Sequence, residues 1–409
     1  MDMNHYKDFL DNNKHEIFVF DYINKRALEN GYELYDENKD YHKGDKIIFN
    51  FRNKLVALVE MGEDLSQGAN MIVSHIDSPR LDVMPNNPFE IKDDETFCKV
   101  VPYGGIVAQV WLDRPLALVG QAYNNKGELV KLNTEDDNLF FTIPSLLPHL
   151  GGRKETSDLS CSKLMVRMGN DVLPFFEDKY GIGEEEFKFA ELSFVPAGKA
   201  IDIGVDRNLI AAYGHDDRVC AFAELEAMFN SGQSDRTKIA LFTSYEETGS
   251  GQSTGAESEF IDDIFLELTK GNQLIMRRAI RNTKLVSADV CAGFDKVYSD
   301  HFEENCKVVV GKGTGIVPFL GSKRGNDATI EMREAIRKLC EDNEISYQIE
   351  TTKVGEGGGG TVSTFFCIKG MEAIDVGVPV LAMHSPQELI HKEDLKATYY
   401  LYRVFFESF

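Results

Sequence analysis

Two glutamates stand side by side in the stretch SYEETGSG (244–251), directly after the apolar run IALFT. Adjacent negative charges at the end of an apolar strand need compensation, because a buried carboxylate without a partner is costly. Chemically similar residues close other apolar runs. MIVSHID ends on His75 and Asp77, LVSAD on Asp289 and VPVLAMH on His384, while Asp216 in AYGHDDRVCAF precedes a helix pattern. Two histidines and three carboxylates suffice for two zinc-like ions, with about four ligands each if a carboxylate and a water are shared. Two such ions roughly 3.5–4 Å apart activate water and clamp a developing oxyanion. One member of the glutamate pair then binds metal, and its neighbour faces the water and removes its proton. The cations offset the charge of both.

Each residue alone has a simpler explanation. A buried histidine is more often a hydrogen-bonded core residue than a ligand. Asp216-Asp217 before a helix is an ordinary N-cap signal. Asp289 could begin a loop. Ser385, Pro386 and Glu388 after His384 read as a capping box opening a helix. The glutamate pair is hardest to explain in this way, since solvated glutamates do not need an apolar strand to carry them.

These residues must be positioned by elements far apart in the chain. The first thirty residues read as a helix stopped at Gly31, and KLVALVEMG and ANMIVSHID read as buried strands. From about 89 to 205 short strand candidates dominate, with Asn125-Lys126-Gly127 as a hairpin turn. After about 206, DRVCAFAELEAMFNSG, DATIEMREAIRKLCEDN and LKATYYLYRVFFESF read as helices, and TKIALFT and LVSAD as buried strands. The expected fold is α/β: a discontinuous domain, 1–88 and 206–409, with a β-rich domain inserted at 89–205. Ligands in such folds gather at the carboxyl ends of strands, which would let distant residues converge.

Composition narrows the function. With 44 Lys+Arg against 67 Asp+Glu, the net charge of −23 argues against nucleic acid and anionic membranes as partners. Seven scattered cysteines without a C-x-x-C fit a reducing compartment. No run approaches the roughly 18–20 apolar residues of a membrane span, and the amino terminus shows no apolar signal core. A cytoplasmic protein is expected. GEGGGGTVST (355–364) allows close approach to a ligand or a loop with positive φ. GKGTG (311–315) lacks the spacing of a P-loop.

Taken in order, SHIDSPRLDV, YGHDDRVCAF, YEETGSGQSTGA, SADV, GGGGTVSTFF and IDVGVPVLAMHSPQE resemble the aspartyl-aminopeptidase family of dinuclear zinc aminopeptidases across nearly the whole chain. YGGIVAQVWLDRPLALVG and IPSLLPHL look like family signatures in the insert. The resemblance implies a mixed-sheet, zinc-exopeptidase-like catalytic domain with an inserted β-rich dimerisation domain. It implies that His75, Asp216, Glu247, Asp289 and His384 bind two divalent ions, zinc first and cobalt or manganese as alternatives. Asp216 would bridge the ions, with the Asp216–Asp217 peptide cis, Asp77 would orient His75, and Glu246 would be the general base. His149 would reach the active site of a neighbouring subunit. Peptides are the implied substrates, and self-association through 89–205 into dimers and a dodecamer is the implied assembly.

The match departs from the family pattern in two places. Cys291 and Phe294 stand where many members have histidines, and Gln387 follows the last ligand where many have arginine. These departures leave the ligands untouched and open the side-chain preference: acidic N-terminal residues by resemblance, neutral ones as the alternative. A non-catalytic assembly homologue, and a two-metal deacylase or carboxypeptidase, are the competing functions.

Overall fold

The computed structural model describes residues 1–318, 328–351, 353 and 360–408. The run of four glycines at 357–360 and the basic stretch around Lys323 fall largely outside the described residues.

A nine-stranded sheet forms the centre. Four of its strands, Thr237–Thr243, Ala69–His75, Lys284–Ser287 and Glu372–Gly377, run parallel and adjacent. The first two are buried at every position, which explains their unbroken apolar sequence: helices cover both faces. On one face lie Met3–Asn12, Glu16–Glu29, His215–Asn230, Ile330–Asp342 and Lys392–Ser408. On the other lie Phe260–Leu268, Gln273–Asn282 and Ser363–Lys369. Thr243 pairs with His75, so the ends of these two strands lie side by side.

The amino-terminal segment is two helices rather than the single one its periodicity predicts. Arg218 donates from Nη1 to the carbonyls of Leu10 (3.3 Å) and Asn13 (2.6 Å), taking acceptors at the end of the first helix. Lys14 donates to the carbonyl of Gly198 at 2.7 Å, and His15 begins the second helix by accepting from the Ile17 N–H. These tertiary contacts override a local pattern that would otherwise continue.

A second, antiparallel sheet of seven strands has its own core around Trp111, Phe176, Phe187 and Phe194. It holds the expected hairpin between Leu116–Tyr123 and Leu129–Asn133. It also takes in Arg80–Val83, which precede residue 89. Ile201–Ile203 instead join a third sheet of five strands with Leu209–Ala212, Glu388–His391, Pro379–Leu381 and Cys291–Ala292. That small sheet lies beside the carboxyl ends of the central strands. Among the described residues no helix is long and apolar enough to cross a membrane.

Candidate metal centre

The residues picked out at the apolar run ends meet at one point. His75 closes its strand, with Nε2 3.3 Å from Asp216 Oδ1 and 3.9 Å from Asp289 Oδ1. His384 Nε2 lies 3.2 Å from the other oxygen, Asp216 Oδ2, and 3.4 Å from Glu247 Oε2. Asp216 therefore belongs to two donor groups. One contains His75, Asp216, Asp217 and Asp289; the other contains Asp216, Glu247 and His384; within each, the donor atoms lie within 4.8 Å of one another.

Both imidazoles present Nε2 for a physical reason. His75 Nδ1 faces the Asp77 carbonyl at 3.1 Å, and His384 Nδ1 faces the Gly105 carbonyl at 2.9 Å. A carbonyl can only accept, so each Nδ1 carries a proton, and Nε2 is the nitrogen that faces Asp216 and can exchange its proton for a metal. Asp77 is a hub beneath the site. It accepts from Tyr103 Oη at 2.7 Å and from the backbone N–H groups of Glu246 and Glu247 at 3.3 Å, and its Oδ1 lies 3.4 Å from His75 Nδ1. The backbone of the glutamate pair is held by a carboxylate, which does nothing for its two negative charges.

Those charges find little cationic support from the chain. Burial, then neighbouring Asp216, raises Glu247 well above the carboxylate range; burial, then Glu246, does the same for Asp289. Burial pushes Glu246 up to about 7. None of Asp216, Glu246, Glu247 and Asp289 pairs with a lysine or arginine among the described residues. Burial opposes charge on His75 and His384, yet Asp216 outweighs it, with help from Asp77 at His75 and from the Gly105 carbonyl at His384. His75 is held well above the usual imidazole value and His384 at about 9. A field that favours positive charge on both imidazoles also attracts metal cations. Glu247 Oε1 and Asp217 Oδ1 are buried with no hydrogen-bond partner. The donor set, the excess of anions and these two atoms fit bound divalent ions.

His384 does not close a strand of the central sheet, as its apolar run predicts. It follows Pro379–Leu381 of the small sheet, on a loop where Ala382 and His384 have φ of 56° and 64°. The capping box read at Ser385–Glu388 opens no helix. Glu388 begins a strand, and its buried carboxylate accepts the N–H groups of Asp216 (3.0 Å) and His384 (2.7 Å). Those backbone donors, rather than a helix terminus, are what the acidic residue satisfies. Asp217, read only as part of a helix cap, belongs to a donor group, and the Asp216–Asp217 peptide is cis. The Asp-Asp doublet was the available signal for it. Nothing in the sequence alone connected Tyr103, Gly105 or Glu388 to the site.

The departing residues have other contacts. Cys291 is buried with Sγ 3.8 Å from the Gly377 carbonyl, Phe294 packs edge-on against Phe302, and Gln387 is exposed. His149 is exposed on the short turn Pro148–Leu150, in neither donor group of its own chain.

Known proteins match the chain in sequence and in fold. A family model described as aminopeptidase I zinc metalloprotease (M18) matches residues 9–406. A probable M18 family aminopeptidase 1 of Borrelia garinii subsp. bavariensis is 36% identical, over 98% of this chain and 95% of its own. The crystal structure of an M18 aminopeptidase from Thermotoga maritima superposes with a TM-score of 0.94 at 32% identity, covering 99% of this chain and 96% of that one. The S. cerevisiae mApe1 dodecamer shares the fold at a TM-score of 0.80 and 18% identity, covering 98% and 95%. The chain belongs to the M18 family of zinc metallo-aminopeptidases.

Proposed function

We propose that the chain removes N-terminal residues from peptides using two divalent ions, held by His75, Asp216, Glu247, Asp289 and His384. The observation that carries this reading is the position of Asp216. It turns one oxygen toward each imidazole, with Asp289 beside one and Glu247 beside the other. Zinc in such a donor set supplies Lewis acidity and activates water; cobalt and manganese suit the same ligands. Glu246 takes a proton from water and delivers it to the departing amine. Burial lifts this carboxyl to about 7 in the metal-free chain, and neighbouring cations would lower it toward the ionised form a base needs. Asp77 holds His75 in the tautomer that offers Nε2.

Residues 89–205 mediate self-association, in dimers that build a dodecamer. Support comes from the exposed Val107, Phe140, Leu146, Leu147 and Leu150 of this region, and from the dodecamer of the yeast relative. His149, exposed among three of those apolar residues, would be supplied to a neighbouring protomer's site. Family resemblance favours acidic N-terminal residues. The departures from the family pattern at Cys291, Phe294 and Gln387 keep neutral residues such as leucine as the alternative.

Glu246→Gln is the test. The variant should bind zinc like the wild type and lose turnover of aminoacyl chromogenic substrates; near-wild-type rates would remove Glu246 from the base role. A panel spanning Asp, Glu and Leu substrates with zinc, cobalt or manganese identifies the preferred residue. No hydrolysis under any combination would contradict an aminopeptidase.

A further inference from the structure

The sequence Tyr103-Gly104-Gly105 ends a strand of the second sheet, Glu95–Tyr103, yet it lies against the metal centre. Tyr103 Oη donates to Asp77 at 2.7 Å, and Asp77 flanks His75 Nδ1. Two residues on, the Gly105 carbonyl accepts from His384 Nδ1 at 2.9 Å. Between them, Gly104 adopts φ +75°, and a Cβ added there would sit 3.2 Å from Glu247 Oε2. Three consecutive residues of one turn thus reach both halves of the donor cluster.

Tyr103 is itself fixed. It pairs with Arg80 across the antiparallel ladder, and the Arg80 guanidinium stacks on its ring at 3.8 Å. Arg80 is buried and held in a bidentate pair with Glu16 (2.8 and 3.1 Å) and by Asp82 at 2.8 Å. Bidentate guanidinium–carboxylate pairs are directional as well as strong. The phenol therefore arrives at Asp77 from a rigid base, and Asp77 receives it while also holding the Glu246 and Glu247 N–H groups.

We propose that Tyr103–Gly105 is a positioning segment for the metal site: Tyr103 sets His75 through Asp77, and the Gly105 carbonyl sets His384 directly. This rests on the two-ion reading above. The second sheet then has a role inside its own protomer, separate from any contact between protomers. Groups that orient a metal-binding imidazole typically change metal affinity about 10–100-fold when removed. Tyr103→Phe deletes one hydrogen bond and keeps the ring under Arg80. Gly105→Ala keeps the carbonyl but places a Cβ 3.3 Å from His384 Nδ1, so the ring must shift a few tenths of an ångström relative to that carbonyl.

The full-length protein and both variants are crystallised and equilibrated at fixed free zinc. Occupancy at each half is read from anomalous difference density, and melting temperatures are measured without metal. Tyr103→Phe should lower zinc affinity about 10-fold on the His75 side, and Gly105→Ala should do so on the His384 side. In each case the other side should stay filled; Tyr103→Phe should also lower the metal-free melting temperature modestly, because Asp77 loses a buried donor, so the side on which zinc is lost is the deciding readout. Unchanged occupancy in Tyr103→Phe overturns the inference even if Gly105→Ala does not fold. Equal loss at both sides with a lowered melting temperature also overturns it, because the turn would then be general scaffold. Fewer than two zinc peaks in the wild type would instead defeat the two-ion reading itself, and this inference with it.

Discussion

His75 and His384 face the same aspartate from opposite sides, yet they are built differently. The His75 side chain is 2% exposed at the end of an all-buried parallel strand, and the carboxylate of Asp77 lies beside its ring. The His384 side chain is 32% exposed, stands on a loop with positive φ, and has a neutral carbonyl behind its Nδ1. A carboxylate behind an imidazole raises its basicity more than a carbonyl does, and a strand holds a ligand more firmly than a loop. One half of the site is therefore a rigid, charged socket, and the other is a looser, more accessible one. Access matters for a peptidase, since the substrate must enter from the open side.

The largest expected effect does not distinguish the halves but tests whether they serve one reaction. Glu246→Gln should cut kcat by about 10²–10⁴-fold while both ions remain bound, as read by metal content. Loss of metal together with activity would make Glu246 a ligand instead. Next, Asp77→Asn should weaken zinc binding on the His75 side by about 10–100-fold, with the His384 side affected less. Equal weakening in a chelator titration would erase the contrast between the halves. Ser74→Ala probes the socket from behind. Ser74 Oγ donates to the buried Glu224 at 2.5 Å, just before His75, so the variant should lose about 1–3 kcal/mol of stability in urea melts, with KM nearly unchanged. The smallest effect is in the wild type: stepwise chelation should remove the ion on the His384 side first, leaving an inactive one-ion form. Removal of both ions in a single step would contradict an unequal pair.

The same contrast explains what could be read from the sequence. His75 was legible because a strand buried on both faces must be apolar throughout, so a histidine at its end stands out. The glutamate doublet after IALFT and Asp289 after LVSA were visible for the same reason, and the parallel register of their strands brings them together. His384 was visible as a residue type but not in its setting. Its run belongs to the small sheet, and the Ser-Pro-Gln-Glu sequence after it carries a helix signal that the loop does not follow. Glu388 instead satisfies the Asp216 and His384 N–H groups, a long-range demand that no local pattern encodes. Tyr103 and Gly105 belong to a motif that carries no local link to the site, because their partners lie 26 and 279 positions away. The break between the first two helices was hidden likewise, since it depends on Arg218 and Lys14 finding distant acceptors.

The most direct test of the central claim is zinc-edge anomalous diffraction from the wild-type protein. Compensation of the buried glutamate pair by cations predicts two peaks per protomer on either side of Asp216, one beside His75 and Asp289 and the other beside Glu247 and His384. No peak among these side chains, with hydrolytic activity intact, would contradict it.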